Sequence, residues 1–189
     1  MGPVTTRISG GSRKGRRLRS SKDAGLRPTS ERVRSAIFSL VGPETVRGVR
    51  VLDLYSGTGA LGIEALSRGA SWADFAEVNA ARCRKIRESL LELGLDCRGY
   101  VYRARVEGVL DIVSGPYGLV LIDPPYDLDQ WESVMGKLAR KNMLADGAIV
   151  VAEHRTVKTL SGDYGRMGLV TVRKYGDTSV SVYRITENG

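Results

Sequence analysis

The sequence predicts an α/β fold: a doubly wound, mostly parallel sheet of seven strands, with a basic extension before it and an antiparallel hairpin at its end. From residue 49 onward, short apolar runs alternate with amphipathic segments, as they do in chains of strand–helix–strand units. After residue 163 the pattern changes to two β-rich runs, 167–175 and 179–185, which are joined by Gly176-Asp177-Thr178. Such a change is typical of a hairpin.

The boundaries of the elements follow from periodicity and turn residues. The predicted strands are about 50–54, 73–77, 99–103, 118–123 and 147–153, and the predicted helices about 60–68, 80–93, 106–113 and 130–141. A further helix precedes them, with an apolar stripe formed by Val33, Ala36, Ile37, Leu40 and Val41. Thr29 or Ser30 suits its N-cap, and Gly42-Pro43 ends it.

Positive charge is concentrated at the N-terminus of this chain of 189 residues, whose net charge is +8. Residues 1–50 hold 12 Lys and Arg against 3 Asp and Glu, whereas residues 51–189 hold 17 against 18. This asymmetry indicates nucleic acid as a partner, with a solubilising tail as the alternative. We therefore divide the chain into a basic nucleic-acid-binding extension, residues 1–45, and a main domain, residues 46–189.

The extension begins with a predicted basic hairpin. Residues 7–22 carry seven basic residues and no acid, and apolar residues near Ile8 and Leu18 flank a loop rich in Gly, Ser, Arg and Lys. Since residues 7–22 contain no aromatic side chain for stacking on bases, we expect contacts with phosphates. The candidate contacts are Arg7, Arg13, Lys14, Arg16, Arg17, Arg27, Arg32 and Arg34.

A glycine-rich turn follows the first strand of the main domain. Gly57, Gly59 and Gly62 form a G-x-G-x-x-G pattern, which brings a backbone turn and a helix N-terminus close to a ligand. Asp53 ends the strand four residues before Gly57, where a carboxylate would repel a phosphate and attract a cation. The D-x-x-x-G-x-G pattern resembles the first motif of class I S-adenosylmethionine-dependent methyltransferases, whose cofactor carries an ammonium and a sulfonium.

Glu77 supports this interpretation. It ends the second predicted strand, 24 residues after Asp53, where doubly wound folds place an acid that holds a ribose diol. The predicted cofactor contacts are Asp53, Tyr55, Ser56, Gly57, Thr58, Gly59 and Glu77.

A second motif, Asp123-Pro124-Pro125-Tyr126, follows the apolar strand that ends at Ile122. Its position predicts that it lies at the same edge of the sheet as Asp53 and Glu77, where ligands bind in such folds. Asp123 and a main-chain carbonyl would accept both protons of an exocyclic amine, and Tyr126 can stack on a base held outside its helix. The motif resembles that of methyltransferases acting on amino groups conjugated to a ring, and these four residues are the predicted catalytic residues.

Most of the chain resembles one family, the RsmD-like small-subunit ribosomal RNA (guanine-N2)-methyltransferases. The matching pieces are RISGGSRKGRRL (7–18), RPTSERVRSAIF (27–38), VLDLYSGTGALGIEALSRGA (51–70), DPPY (123–126) and KYGDT (174–178). The resemblance implies a Rossmann-like class I fold and S-adenosyl-L-methionine as methyl donor. It also implies one guanine of 16S rRNA as target, within an assembling small ribosomal subunit, and an arm that engages RNA. One departure is Tyr102-Arg103-Ala104, where many class I enzymes have Asp-Ala, so no residue is assigned to the cofactor adenine.

Three alternatives stay open. The DPPY motif fits adenine N6 as well as guanine N2, so a DNA adenine methyltransferase or an enzyme for another rRNA guanine is the nearest alternative. A non-catalytic ribosome-assembly factor would use the fold to bind RNA, although the intact Asp53, Glu77 and DPPY argue against it. A dehydrogenase is disfavoured by the position of Asp53.

The remaining features indicate a cytoplasmic protein, for which a monomer is the simplest expectation. No apolar run reaches the roughly 18 residues of a membrane span, and the first residues lack the apolar core of a secretory signal. Cys83 and Cys97 have no metal-ligand spacing, so we expect reduced thiols and no metal site. His154, the one histidine, is expected to be structural because N-methylation requires no histidine.

Overall fold

The computed structural model describes residues 6–18, 30–125, 130–140 and 143–186. Within these residues eight strands form one sheet, in the order β3-β2-β1-β4-β5-β8-β7-β6. The strands are β1 Arg50–Leu54, β2 Trp72–Ala76, β3 Gly99–Tyr102, β4 Tyr117–Ile122, β5 Leu144–Arg155, β6 Asp163–Tyr164, β7 Met167–Tyr175 and β8 Thr178–Ile185. The two-residue β6 is added to the seven strands predicted, because it pairs with the start of β7.

The sheet is parallel from β1 to β5 and antiparallel beyond. β1 pairs in parallel with β2 and β4, β2 with β3, and β4 with β5. β8 runs antiparallel to β5, and β7 antiparallel to β8. The predicted mostly parallel sheet with a C-terminal hairpin is therefore confirmed.

Helices cover both faces of the sheet, as the doubly wound prediction requires. They are α1 Glu31–Val41, α2 Pro43–Val46, α3 Ala60–Ser67, α4 Ala80–Glu92, α5 Val106–Ile112 and α6 Trp131–Leu138, with 3-10 turns at Gly11–Arg13 and Asp96–Arg98. Because side chains alternate along a strand, Val51 packs with residues of α1, α3 and α4, whereas Leu52 packs with residues of α5 and α6. None of the helices in the described parts of the chain is long and apolar enough to span a membrane.

Helix α1 forms as predicted. The hydroxyl of Ser30 accepts a hydrogen bond from the N–H of Val33 at 3.2 Å, which caps the first turn. Val33, Ile37 and Val41 are buried against the sheet, and Gly42 ends the helix with a φ of 81°.

The N-terminal segment forms the predicted hairpin, reduced to a single antiparallel bridge between Arg7 and Arg17. Ile8 donates to Arg16 at 3.0 Å, and Leu18 donates to Thr6 at 2.8 Å. Ile8 and Leu18 are 2% and 4% exposed and belong to the core cluster on the α1 face of the sheet. Two buried apolar side chains thus hold a strongly basic segment against the main domain.

Candidate active site at the carboxyl edge of the sheet

Three acidic residues meet where β1, β2 and β4 end. Leu54 pairs with Ala76 on one side and with Ile122 on the other, so Glu77 and Asp123 lie on either side of Tyr55. Asp53 is 1% exposed and Glu77 5% exposed, whereas Asp123 is partly open. Burial raises the pKa of Asp53 well above its ordinary value, and the charges of Asp123 and Glu77 raise it further. A cationic group bound here would offset this concentration of negative charge.

The glycine-rich turn is held by hydrogen bonds from both neighbouring strands. Ser56 donates its backbone N–H to Ala76 at 3.0 Å and its hydroxyl to the Asp53 carbonyl at 2.7 Å. Gly57 and Gly59 have φ angles of 55° and 74°, a conformation that glycine adopts at little cost. Gly59 then caps α3, whose first N–H groups therefore point toward the carboxyl edge.

Glu77 shapes this turn as well as lining the site, a role that the sequence alone did not predict. One carboxylate oxygen accepts from the N–H of Gly57 at 2.9 Å, and the other accepts from Asn79 at 2.7 Å. Asn79 in turn caps α4 by accepting from Ala81 and Arg82. Glu77 thereby fixes the glycine turn relative to α4, and its oxygens retain lone pairs for a ligand.

Asp53 has a similar double role. Its Oδ2 accepts from the N–H of Gly62 at 2.9 Å, in the first turn of α3. A Cβ atom at Gly62 would lie 2.4 Å from the Phe75 ring and 2.9 Å from that same carboxylate oxygen. The third glycine of the motif is therefore needed for close packing of α3 on β1 and β2.

Asp123 and Pro124 continue directly from β4. The N–H of Asp123 lies 3.4 Å from the carbonyl of Leu54, and Pro124 is buried. Pro124 lines a small cavity together with Tyr55 and Trp131. Pro125 is exposed, and Tyr126 lies outside the described residues.

Tyr55 combines two unusual features. It has a φ of 58°, the one positive φ among the non-glycine residues that the structure describes. Its hydroxyl is buried without a hydrogen-bond partner in the described chain, and the same is true of Oε1 of Glu107. Burial raises the pKa of Tyr55, and the charge of Glu107 raises it further. Since strained residues with unsatisfied polar groups concentrate at functional sites, Tyr55 is a candidate for ligand contact, and Glu107 is close enough for its charge to act on the Tyr55 hydroxyl.

The basic residues of the N-terminal extension do not all face solvent. Arg7, Lys14, Arg16, Arg17 and Arg32 are exposed, Arg13 is half-buried, and Arg27 lies outside the described residues. Arg13 Nε donates to the carbonyl of Leu93 at 2.7 Å, and Arg16 donates to that of Glu92 at 3.2 Å. These two arginines thus bind the C-terminal end of α4, where a positive charge is favourable.

The prediction that Arg34 is a phosphate contact is wrong, because the side chain is buried. Arg34 is 1% exposed, and its Nε lies 3.2 Å from Oε2 of Glu64, which is itself completely buried. The sequence does indicate that Arg34 is buried, because Arg34 precedes Ile37, Phe38 and Val41 by three, four and seven residues and therefore lies on the apolar face of α1. Glu64 is an acid within the entirely buried helix α3, and a buried carboxylate requires a positively charged or hydrogen-bonding partner.

His154 is enclosed by the sheet. Its Nδ1 lies 2.9 Å from the carbonyl of Arg155, and its Nε2 lies 2.8 Å from the hydroxyl of Ser181. A nitrogen facing a carbonyl must carry a proton, so Nε2 accepts in the neutral ring. Burial lowers the pKa of His154, which keeps the ring neutral and agrees with a structural role.

The order of strands, the glycine turn and the acids at the carboxyl edge define a class I methyltransferase. A family described as "Conserved hypothetical protein 95" matches residues 6–184. The chain belongs to this family, the RsmD family of methyltransferases.

Three known proteins illustrate the similarity. "Ribosomal RNA small subunit methyltransferase D" of Escherichia coli (strain K12) is 34% identical over 147 residues, which are 78% of this chain and 73% of that protein. The solved structure of yhhF from Escherichia coli has a TM-score of 0.87 at 27% identity and covers 96% of this chain and 98% of its own. An RNA methyltransferase from Salinibacter ruber, solved in complex with S-adenosyl-L-homocysteine, has a TM-score of 0.61 at 21% identity, over 85% of this chain and 95% of its own.

Proposed function

We propose that this protein transfers a methyl group from S-adenosyl-L-methionine to the exocyclic N2 amine of one guanine in 16S rRNA, within an assembling small ribosomal subunit. The observation that carries the proposal is the meeting of Asp53, Glu77 and Asp123 at one edge of the sheet, beside the glycine turn. The name of the E. coli relative, which refers to the small ribosomal subunit, supports the choice of RNA.

The residues of the site fit the proposed cofactor. The acids at Asp53 and Glu77 suit an ammonium group and a ribose diol, and the turn from Tyr55 to Gly59 offers a close backbone approach. S-adenosyl-L-methionine would supply an electrophilic methyl group on its sulfonium, with S-adenosyl-L-homocysteine as the product. The S-adenosyl-L-homocysteine bound to the Salinibacter ruber protein supports this assignment.

Asp123 is the proposed residue that prepares the amine. The lone pair of guanine N2 is delocalised into the ring, which makes the nitrogen a weak nucleophile. Acceptors for its two protons, at Asp123 and a nearby carbonyl, favour a pyramidal nitrogen whose lone pair faces the methyl group. Formation of the new N–C bond would be accompanied by cleavage of the bond between the methyl carbon and the sulfonium sulfur, whose electron pair would stay on sulfur. One amine proton would leave to Asp123 or to water. Holding the two reactants in line is the main contribution of the protein.

Residues 1–45 are proposed as the RNA-binding extension, with its exposed basic side chains along phosphates. These are Arg7, Lys14, Arg16, Arg17 and Arg32. The enzyme is proposed to act in the cytoplasm, where its proposed substrate assembles, and to act as a monomer.

The test uses radiolabelled S-adenosyl-L-methionine with small-subunit particles and 16S rRNA from cells that lack this protein. Nucleoside analysis should recover the label as N2-methylguanosine at one site. Label in N6-methyladenosine would overturn the choice of base, and equal activity on duplex DNA would overturn the choice of rRNA. Cofactor binding without any transfer would favour the assembly-factor alternative.

A further inference from the structure

The turn between β7 and β8 lies at the same edge of the sheet as the candidate active site. β8 runs antiparallel to β5, with Thr178 opposite Arg155, so the turn at Gly176 and Asp177 lies beside the carboxyl end of β5. β5 is the immediate neighbour of β4, from which Asp123 emerges. With strands about 4.8 Å apart, β7 is roughly 14 Å from β4 across the sheet.

This part of the edge is basic. Arg155 and Lys158 follow from the end of β5, and Arg173 and Lys174 lie at the end of β7; all four are exposed. Asp177 is the one acidic residue in segments 155–158 and 173–178. Because side chains alternate along a strand, Arg155 and Arg173 lie on the α1 face of the sheet, whereas Lys174 lies on the other face. The four residues thus surround this part of the carboxyl edge, and we call them the β5–β7 basic surface.

Hydrogen bonds join the two segments that carry this surface. The N–H of Thr156 donates to the carbonyl of Asp177 at 2.9 Å, and the Thr156 hydroxyl donates to the carbonyl of Gly176 at 3.0 Å. The hydroxyl of Ser179 donates to Thr156 Oγ1 at 3.2 Å. The basic side chains therefore project from a preorganised backbone, which lowers the entropic cost of binding.

The direction from which RNA reaches Asp123 follows from the positions of the other acids. Asp53 and Glu77 belong to the ends of β1 and β2, so the proposed cofactor occupies that side of Asp123. This leaves the side of Asp123 toward β5, β8 and β7 for the nucleotide, and the β5–β7 basic surface lies on that side.

The N-terminal hairpin meets the main domain elsewhere. Its tip contacts the C-terminal end of α3, because the N–H of Arg13 donates to the Ser67 hydroxyl at 2.9 Å and that hydroxyl donates to the Gly10 carbonyl at 2.6 Å. Helix α3 begins at the carboxyl edge and has eight residues, so it leads about 12 Å away from that edge. The hairpin tip is thus at the far end of α3 from the candidate active site.

From this arrangement we infer that the β5–β7 basic surface binds the phosphate backbone of the RNA next to the target base, as a second RNA-binding region separate from the N-terminal hairpin. The inference rests on the proposed function. Its physical basis is charge complementarity within a few nucleotides of Asp123.

The test compares two double variants of the full-length protein. R173Q/K174Q removes two charges from the surface, and the matched control R140Q/R184Q removes two exposed charges near the opposite edge, away from the N-terminal hairpin. Binding to small-subunit particles from cells lacking the protein is measured against salt concentration. The logarithm of the association constant falls as the logarithm of the salt concentration rises. R173Q/K174Q should make this slope less steep by about one for each phosphate that the variant no longer binds, whereas the control should keep the wild-type slope. Affinity for S-adenosyl-L-methionine and the melting temperature should be the same in all three proteins.

The outcomes separate this inference from the proposed function. If the wild-type protein methylates the particles and R173Q/K174Q has the salt slope of the control, the inference is overturned and the function stands. If the wild-type protein binds particles but transfers no methyl group, the proposed function is overturned, and the slope of R173Q/K174Q still decides whether this surface binds RNA. A wild-type protein that does not bind particles or rRNA overturns both.

Discussion

Arg34 and Glu64 form an ion pair that is closed to solvent on both sides, with Nε 3.2 Å from Oε2 and side-chain exposures of 1% and 0%. Glu64 also accepts hydrogen bonds from the N–H and the hydroxyl of Ser9, at 2.8 Å and 2.7 Å, and from Arg68 Nε at 3.0 Å. One carboxylate thus joins the N-terminal hairpin, α1 and α3. Because α3 begins at the glycine turn, the basic hairpin is attached to the helix that borders the cofactor side of the site.

Replacing Glu64 by Gln should strongly destabilise the protein. The change leaves the buried guanidinium of Arg34 without its counter-charge, which typically costs about 3–5 kcal/mol. Urea unfolding measures this decrease in stability. The matched control is E44Q, because Glu44 is 81% exposed and pairs with the exposed Arg47; it should change the free energy of unfolding by less than about 0.5 kcal/mol. Equal effects of both substitutions would contradict the role assigned to Glu64.

Asp53→Asn should stabilise the ligand-free protein increasingly as the pH rises. The folded-state pKa of Asp53 is raised above its ordinary value of 3.8, chiefly by burial. The Asp53 carboxyl group therefore makes its full contribution to the free energy of unfolding below pH 3.8, and this contribution is lost as the pH rises through the raised folded-state pKa. Asn has no such dependence, and its carbonyl can still accept from Gly62. Unfolding free energies from acid to neutral pH test this, and a constant difference between the two proteins would contradict it.

The same Asp53→Asn protein should bind S-adenosyl-L-methionine more weakly. A hydrogen bond between charged groups contributes about 1.5–3 kcal/mol, so we expect affinity to fall by about tenfold or more, as measured by calorimetry. Greater stability combined with weaker binding would mark Asp53 as a residue kept for function. Unchanged affinity would remove Asp53 from the proposed cofactor contacts.

Asp123→Ala should abolish transfer and leave cofactor affinity unchanged, because the side chain is assigned to the amine. Loss of a group that positions or accepts a proton typically lowers kcat by about 100-fold or more. Asp123→Asn keeps an acceptor and should retain more activity than Ala. Single-turnover transfer and equilibrium binding of S-adenosyl-L-methionine separate the two effects, and a decrease in affinity as large as the decrease in rate would show that Asp123 serves the cofactor instead.

Gly62→Ala should destabilise the protein by about 1–3 kcal/mol, since the added methyl would meet the Phe75 ring and the Asp53 carboxylate. Gly136→Ala is the matched control, because Gly136 lies within α6 and its Cβ would meet nothing within 4 Å. The control should raise stability by about 0.5–1 kcal/mol. Thermal or urea unfolding gives both values, and a neutral Gly62→Ala would indicate that α3 can shift away from β1.

Much of the fold could be predicted from local patterns. The alternation of strands and helices predicted the parallel sheet, and each strand boundary agreed within a few residues because apolar runs and turn residues are local signals. The positions of Asp53, Glu77 and Asp123 at one edge followed as well, since each ends a strand and parallel strands end together. The roles of Glu77 in holding Gly57 and Asn79 did not follow, because they depend on side-chain geometry.

By itself, the sequence determined the alternation of strands and helices, the chemistry of the glycine turn and the acids at strand ends, because these features depend on residues close together in the chain. Tertiary structure alone decided which charges are neutralised and which face solvent. Arg34 and Glu64 are 30 residues apart and become partners only when α1 and α3 pack on the same face of the sheet. Likewise, Arg155 and Arg173 share the edge next to Asp123 only because β8 returns antiparallel to β5. Contacts between distant segments are set by packing and strand pairing, and local periodicity carries no record of them.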